Sequence, residues 1–333
     1  MKADYMAIGS SLVWDKCDYA ITYSKWPHIR ALQEFLIFWK VVSKYEIIHS
    51  HFMIMLTNSG WELPVLKKLG RKIVIHYRGC EIRDRQGNIS LHPGLNICEE
   101  CDYGAYCEKD EVVRKRRDLS SQYGDLFFVT TPDLKDFVPY AVYLPFFVPE
   151  IELSSYKNGD SPVKGEIKIV HATNHPGIEG TEKIRKAIDS LIKKGYRIDF
   201  VFLKGVPHDV VLKEIATADL TIGKMKMGYY ANAQIESMLM GVPAITHIRK
   251  EFMTEELENS GFIFTDIEHI GDTIEIYINE PDKLNAKRRI ARESILKLHD
   301  NKRLSGQLTA CYRTIKAGQG ASVSHQEHPV WRP

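Results

Sequence analysis

No stretch of these 333 residues reaches the roughly 20 consecutive apolar positions that a membrane-spanning helix needs. The nearest is Phe35-Leu36-Ile37-Phe38-Trp39, resumed after Lys40 by Val41-Val42. That length suits a buried helix, or one lying at a membrane surface through Ala31 to Val42. The N-terminus, Met1-Lys2-Ala3-Asp4-Tyr5, puts no apolar core behind its positive charge, so it does not read as a signal peptide. A cytoplasmic chain is expected, with peripheral membrane association as its variant. An excess of one charge is also lacking. The formal net charge is +2, which predicts no general affinity for polyanions and no nucleic-acid partner. The dense basic run Arg114-Lys115-Arg116-Arg117 is surrounded by Glu108, Asp110, Glu111 and Asp118 and reads as a solvated helix face. There is no internal repeat, and no low-complexity tract beyond a short polar tail after Gly318.

What is present is ordinary material for two α/β domains. Apolar residues make up 44% and charged residues 26% of the chain, enough for two buried cores. Tyr45-Glu46-Ile47-Ile48-His49-Ser50-His51 reads as a strand ending in polar residues, and Glu62 to Leu69 as a helix closed by Gly70. Arg71 to Tyr77 is a second strand, turned by Arg78-Gly79, and Asp125 to Thr130 a further one. Thr131 then caps a helix with Pro132 at its first position. Strands alternating with helices at this spacing predict a parallel sheet. Ligands in such sheets gather beyond the carboxyl ends of the strands. His49, His51, His76 and Arg78 all sit at such ends. The opening, Ala3 to Gly9, reads as the second strand of such a domain, so its first strand-helix unit is expected to be missing or the sheet reduced. This first domain is expected over residues 1–150, with a Cys-rich insertion over about 80–110.

Residues 151–165, polar and rich in turn formers from Leu153 to Gly165, read as a linker. The pattern then restarts, and a second domain is expected over 166–280. Its predicted strands are Ile167 to Ala172, Asp199 to Leu203, Asp219 to Ile222 and Pro243 to Ile248. The helices between them run from Gly180 to Lys194, Pro207 to Ala218 and Ala233 to Met240. Residues 281–318 read as helices packing back on the first domain, and 319–333 as a polar tail.

The chemistry concentrates in Gly228-Tyr229-Tyr230-Ala231-Asn232-Ala233-Gln234-Ile235-Glu236-Ser237-Met238-Leu239-Met240-Gly241-Val242-Pro243. A loop of small residues leads into a helix with one acidic group in its first turn. The loop amides and the helix N-terminus suit an anion such as a diphosphate. Glu236 either accepts hydrogen bonds from a ribose diol or merely complements its helix dipole. Tyr229 and Tyr230 either stack on a base or sugar or serve as packing.

The segment Asn232 to Pro243, with Pro207 to Asp219 before it, resembles the C-terminal domain of GT-B glycosyltransferases of the family 4 type. Glu236 matches the second glutamate of that family's paired-glutamate motif, and the match extends to Asn174-His175 and Gly180-Thr181. The first half agrees more loosely, through Ile47-Ile48-His49-Ser50-His51, His76-Tyr77-Arg78-Gly79 and Thr131-Pro132-Asp133-Leu134. The resemblance implies a GT-B fold, two Rossmann-like α/β domains facing a cleft. It also implies transfer of a sugar from a nucleotide-sugar donor (UDP-, GDP- or another nucleoside diphosphate sugar) to an unidentified acceptor, with retention of configuration and no catalytic cofactor. Asn174, His175, Gly180, Thr181, Tyr229, Tyr230, Ala231 and Glu236 would then hold the donor, and His76 with Arg78 the opposite wall.

Three departures stand out. The family's first glutamate would fall at Gly228, the lysine before Gly-Thr is Glu179, and the preceding arginine has no counterpart among Asn174, His175 and Pro176. Charge-assisted bonds are worth about 1.5–3 kcal/mol each, so the lost cations need replacing. Lys204, Lys224 and Lys226 are the residues placed to do so. A non-catalytic binding or scaffold protein on the same fold is the rival reading.

The six cysteines are separate chemistry. Cys17 and Cys311 stand alone, while Cys80, Cys98, Cys101 and Cys107 cluster. Four thiolates with one C-x-x-C pair suit a closed, structural zinc site, with His92 as an alternative ligand. An iron–sulfur cluster and plain reduced thiols are the alternatives.

Overall fold

The computed structural model describes residues 3–8, 17–52, 56–57, 60–104, 107–149, 151 and 165–318. The linker, apart from residues 151 and 165, and the polar tail from residue 319 lie outside the described residues, as does Gly9. In chain order the strands are β1 Met6–Ile8, β2 Tyr19–Ile21, β3 Ile47–His51, β4 Lys72–Tyr77, β5 Leu126–Val129, β6 Val142–Tyr143, β7 Glu166–Ala172, β8 Arg197–Leu203, β9 Leu220–Ile222, β10 Ala244–Thr246 and β11 Ile263–Phe264. Helices α1 Pro27–Lys44, α2 Glu62–Lys68, α3 Arg85–Leu91 and α4 Asp110–Tyr123 belong to the first half. The second half carries α5 Pro176–Glu179, α6 Thr181–Lys193, α7 His208–Ala216, α8 Asn232–Leu239, α9 Glu255–Glu258, α10 Ile270–Asn279, α11 Pro281–Leu298 and α12 Asn301–Lys316. The opening segment is a strand only over Met6–Ile8, starting three residues later than expected, and the other strands read from the sequence are present within two residues of their expected ends. After Thr131 the chain makes a 3-10 turn, Pro132–Asp136, without a side-chain cap from Thr131.

The chain divides into two compact units, and not at residue 150. The first comprises the chain up to Tyr77, Arg116–Phe128, and the described chain from Ser305. The second comprises Arg78–Lys115 and Val129–Leu304. The Cys-rich segment thus belongs to the second unit, and the last helix rejoins the first.

In the first unit, β3, β4 and β5 are neighbours in that order. β3 and β4 are parallel, with His49 opposite Val74 and His51 opposite His76. Asp125 fixes the next edge, its carboxylate accepting the Ile73 N–H at 2.8 Å and pairing with Lys67 at 2.7 Å. β1 and β2 form a separate parallel pair. α12 is held here by the Tyr312 hydroxyl, 2.5 Å from His49 Nδ1, and by a Lys316–Glu46 ion pair.

In the second unit, five strands lie in the order β11-β10-β9-β7-β8, and each neighbouring pair is parallel. Alternation along β7 accounts for the two cores. Ile167 and Ile169 join Ile184, Ile188, Ile274 and Ile278 of α6 and α10 on one face, whereas Val170 meets Leu212, Ile215 and Val242 on the other. Helices therefore cover both faces, and the strands read as near-continuous apolar runs for that reason. Each such side chain contributes about 1.5–3 kcal/mol on burial. The Cys-rich segment joins this unit through Ile97 and Cys98, which pack on Ile178 of α5 and against Met227.

Candidate functional site

Strand order in the second sheet reverses at β7, whose neighbours β8 and β9 are later in sequence. Connections that leave a parallel sheet in opposite directions open a crevice at the carboxyl ends of the strands there. The residues following β7, β8 and β9 are those at Thr173–Gly180, Lys204 and Gly223–Ala231. Nearly all residues expected to hold a nucleotide fall in these three segments.

Glycine is required twice in the loop after β9. A Cβ on Gly223 would lie 2.1 Å from the Gln234 side chain, and Gly228 adopts φ +81° with Arg249 Cγ 2.6 Å from where its Cβ would be. Gln234 in turn caps α8, its Oε1 accepting the Ala231 N–H at 3.0 Å. The Ala231 amide is therefore already satisfied within the loop. α8 begins at Asn232, one residue earlier than expected, which moves Glu236 from the first helical turn to the second. Glu236 Oε1 meets His208 Nε2 at 3.0 Å, bridging α8 to the start of α7. His208 was not legible as a site residue from sequence.

The cations are present but engaged. Lys224 forms an ion pair with Glu179, the residue standing where the resemblance leads one to expect a lysine. Lys226, with its side chain almost wholly buried, donates to Glu100 Oε2 at 2.7 Å and to the Gly177 carbonyl at 3.3 Å. The hydrogen bond from Lys226 holds the Glu100 carboxyl below its usual range. Lys204 is exposed at the end of β8. Asn174 is exposed, its Oδ1 accepting the Gly205 N–H at 3.0 Å. His175 stacks on Tyr103 with ring centroids 4.0 Å apart and has Asp102 at 3.7 Å. The Cys-rich segment thus lies directly on the loops that follow β7 and β9.

Gly180 and Thr181 shape the entry into α6, one through its backbone and the other through its side chain. Gly180 takes φ +79° to turn α5 into α6. Buried His171 bridges the Ile222 carbonyl at 2.9 Å and the Thr181 hydroxyl at 2.9 Å. Burial lowers its pKa, so the ring is neutral: Nδ1–H donates to the carbonyl and Nε2 accepts the Thr181 hydroxyl proton. His171 ties β7, β9 and α6 together, and sequence reasoning passed over it.

Tyr229 and Tyr230 are packed inside the second unit. Both are buried and stacked on one another at 4.5 Å. The Tyr229 hydroxyl accepts from Tyr143 at 3.2 Å, and the Tyr230 hydroxyl meets His299 Nε2 at 2.8 Å. Their phenols find partners inside the core, which is how tyrosine is tolerated there.

A polar cavity of about 250 Å³ adjoins the same loop, lined among others by Arg83, Asp133, Asp136, Lys226, Gly228 and Arg249. Arg249 grips Asp136 with both terminal guanidinium nitrogens, at 2.7 and 3.2 Å. Burial alone would raise the Asp136 pKa, but hydrogen bonds from Arg249 and His92 bring it below the usual value. His92 is thus a partner of this ion pair. Arg83 forms a buried ion pair with Asp133.

The four clustered thiols share one neighbourhood. Cys98 is buried, Cys101 half-buried, Cys80 and Cys107 exposed, and all are free. Burial pushes the Cys98 thiol up to about 12, with Cys80, Cys101 and Cys107 adding to the rise and Arg83 opposing it. Among the described residues no three of their sulfurs gather within 4.8 Å; that spacing is met by His49, His51 and His76 of the first unit. The rings of His49 and His51 stack at 4.5 Å and 13°, and those of His49 and His76 at 5.6 Å and 26°. The His51 and His76 rings complete the trio at 5.0 Å and 38°, so the three imidazoles form a compact cluster in which each ring lies close to the other two. His76 is buried in that cluster. Arg78 opens the second unit with its guanidinium 5.7 Å from the Phe146 ring.

No family model matches the sequence, and no curated protein matches it. Solved structures do. Sucrose-phosphate synthase from Thermosynechococcus elongatus superposes with a TM-score of 0.56 at 15% identity, over 90% of this chain and 84% of that one. HepE from Anabaena, in complex with UDP and glucose, gives 0.55 at 12% identity over 89% and 86%. A second HepE structure, with UDP-glucose, gives 0.55 at 11% over 88% and 86%. At these identities the likeness speaks for the fold. The chain is a mixed α/β protein with parallel sheets, built on the GT-B glycosyltransferase fold.

Proposed function

We propose that this protein is a glycosyltransferase that takes a sugar from a nucleoside diphosphate sugar, with the nucleotide held by the second unit. One observation carries the reading. Where the strand order reverses at β7, a glycine-requiring loop, two lysines and the Glu236-bearing helix α8 all follow β9. The UDP and UDP-glucose in the HepE structures support a nucleoside diphosphate as the donor's handle. Glu236 would accept hydrogen bonds from the ribose diol, exchanging them for its contact with exposed His208. Lys224, Lys226 and Lys204 would meet the diphosphate. In the reaction the bond from the sugar's anomeric carbon to the donor phosphate breaks and the acceptor oxygen takes its place. The acceptor's proton passes to the departing phosphate oxygen, and fixed cations stabilise the charge developing there. Retention of configuration belongs to this proposal, and the anomeric signal of the product read by NMR tests it. A structural zinc on Cys80, Cys98, Cys101 and Cys107 belongs to it too, as a clamp drawing the thiolates together. Metal analysis of the full chain and of Cys98→Ser reads that site.

The test is a thermal-shift series with UDP, GDP and ADP on the wild-type chain and on Glu236→Ala. A shift with one nucleotide, lost in the variant, is the expected result; no shift with any of them sinks the assignment. A non-catalytic binding protein is the second reading. It is favoured by the carboxylate partners on Lys224 and Lys226 and by Gly228 in place of a glutamate. Nucleotide binding without turnover of any nucleotide sugar would select it.

A further inference from the structure

Helix α1 presents an unusual surface in the first unit. Trp26 at its N-cap, then Ile29, Leu32, Phe35, Leu36 and Trp39, are each between 46% and 73% exposed. Successive residues turn by about 100°, so Ile29, Leu32, Leu36 and Trp39, spaced by three, four and three, form one stripe. Phe38, Val41 and Val42 form the neighbouring arc and are buried. The helix therefore has two apolar arcs, and the core uses one of them. Cations rim the other. Over Lys25 to Lys44 there are four, Lys25, Arg30, Lys40 and Lys44, against one acid, Glu34. Arg30 is paired with Glu34 at 2.8 Å and Lys44 with Asp4 at 2.5 Å, which leaves the excess on Lys25 and Lys40. Among the described residues, no helix is long and apolar enough to cross a membrane.

We propose that α1 is a docking surface for a lipid bilayer with anionic headgroups, lying flat with its exposed arc in the interfacial region. Water-exposed apolar patches of this extent mark interaction sites. Two features favour lipid over a protein partner. Tryptophans stand at both ends of the stripe, and their amphipathic rings favour the headgroup level. Exposed Lys25 and Lys40, the latter with its ammonium 4.3 Å over the Tyr19 ring, put positive charge beside the arc that complements anionic lipid. The inference does not depend on the proposed sugar transfer.

Co-sedimentation of the full chain with phosphatidylcholine vesicles, with and without about a third phosphatidylglycerol, tests it. The chain is expected to pellet with the anionic vesicles, to be released by added salt, and to shift its tryptophan emission to the blue. Replacing two exposed leucines, Leu32→Ser with Leu36→Ser, spares the core arc and should lower the partition coefficient at least about tenfold. Lys25→Glu with Lys40→Glu should weaken binding to anionic vesicles while leaving the thermal transition in place. Absence of wild-type binding to anionic vesicles overturns the proposal, as does equal binding by the leucine variant. A concentration-dependent dimer that the leucine variant abolishes, with no vesicle binding, overturns it in favour of a second copy of this chain.

Discussion

Replacing Glu100 by glutamine should tighten the binding of a nucleoside diphosphate. Glu100 occupies the ammonium group of Lys226 at 2.7 Å, and Lys226 is one of the cations on which the diphosphate assignment rests. The two partners are unequal: the Lys226 side chain is 5% exposed and that of Glu100 57%. A carboxylate so open to water is screened, and a pair of this kind is worth about 0.2–1 kcal/mol rather than the several of a buried pair. An incoming diphosphate must displace it. Removing its charge should therefore return up to about 1 kcal/mol, or roughly fivefold in Kd. Lys226 pulls the Glu100 pKa down, so the carboxylate is charged throughout the neutral range and the gain should not vary between mildly acid and mildly alkaline buffer. Calorimetric titration of wild type and Glu100→Gln with UDP, GDP or ADP measures it, and the matching nucleoside without phosphates is the internal control. The expected pattern is a gain for the diphosphate and none for the nucleoside. An equal gain for both would point to a general loosening of the Cys-rich segment. No gain for either would remove Lys226 from the phosphate site.

Two further perturbations test the same surroundings. A Cβ on Gly177 would lie 1.9 Å from the Glu100 carbonyl oxygen, and backbone cannot yield as a flexible side chain can. Gly177→Ala should cost about 1–3 kcal/mol and expose residues 98–104 to limited proteolysis; an unchanged urea midpoint and digestion pattern would refute the contact. His299 is buried between the Tyr230 hydroxyl and the Phe146 carbonyl, and burial lowers its pKa to about 4. The unfolded chain, with histidine near 6.5, binds the proton that the folded chain refuses. This contribution to stability is therefore complete above about pH 6.5 and falls away toward pH 4, by at most about 3 kcal/mol. His299→Gln should lack this loss, so the wild-type minus variant difference in urea-unfolding free energy should fall as the pH drops through that window; parallel pH profiles would contradict it.

The strands and their parallel pairing were legible because each is a short apolar run between amphipathic helices closed by Gly70, Gly195 and Gly241, all at positive φ. Position along the chain was enough to place Asn174, Lys204 and Lys224 beyond strand ends. What local sequence does not carry is partnership across long separations. Tyr229 and Tyr230 look like ligand-stacking residues until Tyr143 and His299, 86 and 69 residues away, supply partners for their hydroxyls. Lys226 looks like a free cation until Glu100, 126 residues earlier, is placed on it. His171 is a different case, because a histidine late in a strand, ten residues before the threonine that starts a helix, was a readable signal for a bridge. The one-residue shift at the start of α8 was not readable, since Ala231 and Asn232 both suit a helix entry.

Glu179 at a position where the resemblance calls for lysine therefore takes on a different meaning. Taken alone it is a lost cation beside a pyrophosphate. In the structure it is one half of an ion pair whose other half, Lys224, follows β9. The positive charge has moved from the turn after β7 to the loop after β9, on the far side of the point where strand order reverses. Both places lie at carboxyl ends of neighbouring strands, so an anion in the crevice can meet a cation from either. Lys226 and Arg249 follow the same pattern, each brought to the loop already carrying a carboxylate, Glu100 and Asp136. A site built this way does not leave its cations unbalanced when empty, and under the proposed function binding would be an exchange of carboxylate for phosphate. That exchange would lower affinity below that of a site with free lysines, and it would place the control of affinity in Glu100, on the cysteine-rich segment rather than in the strands of the second sheet.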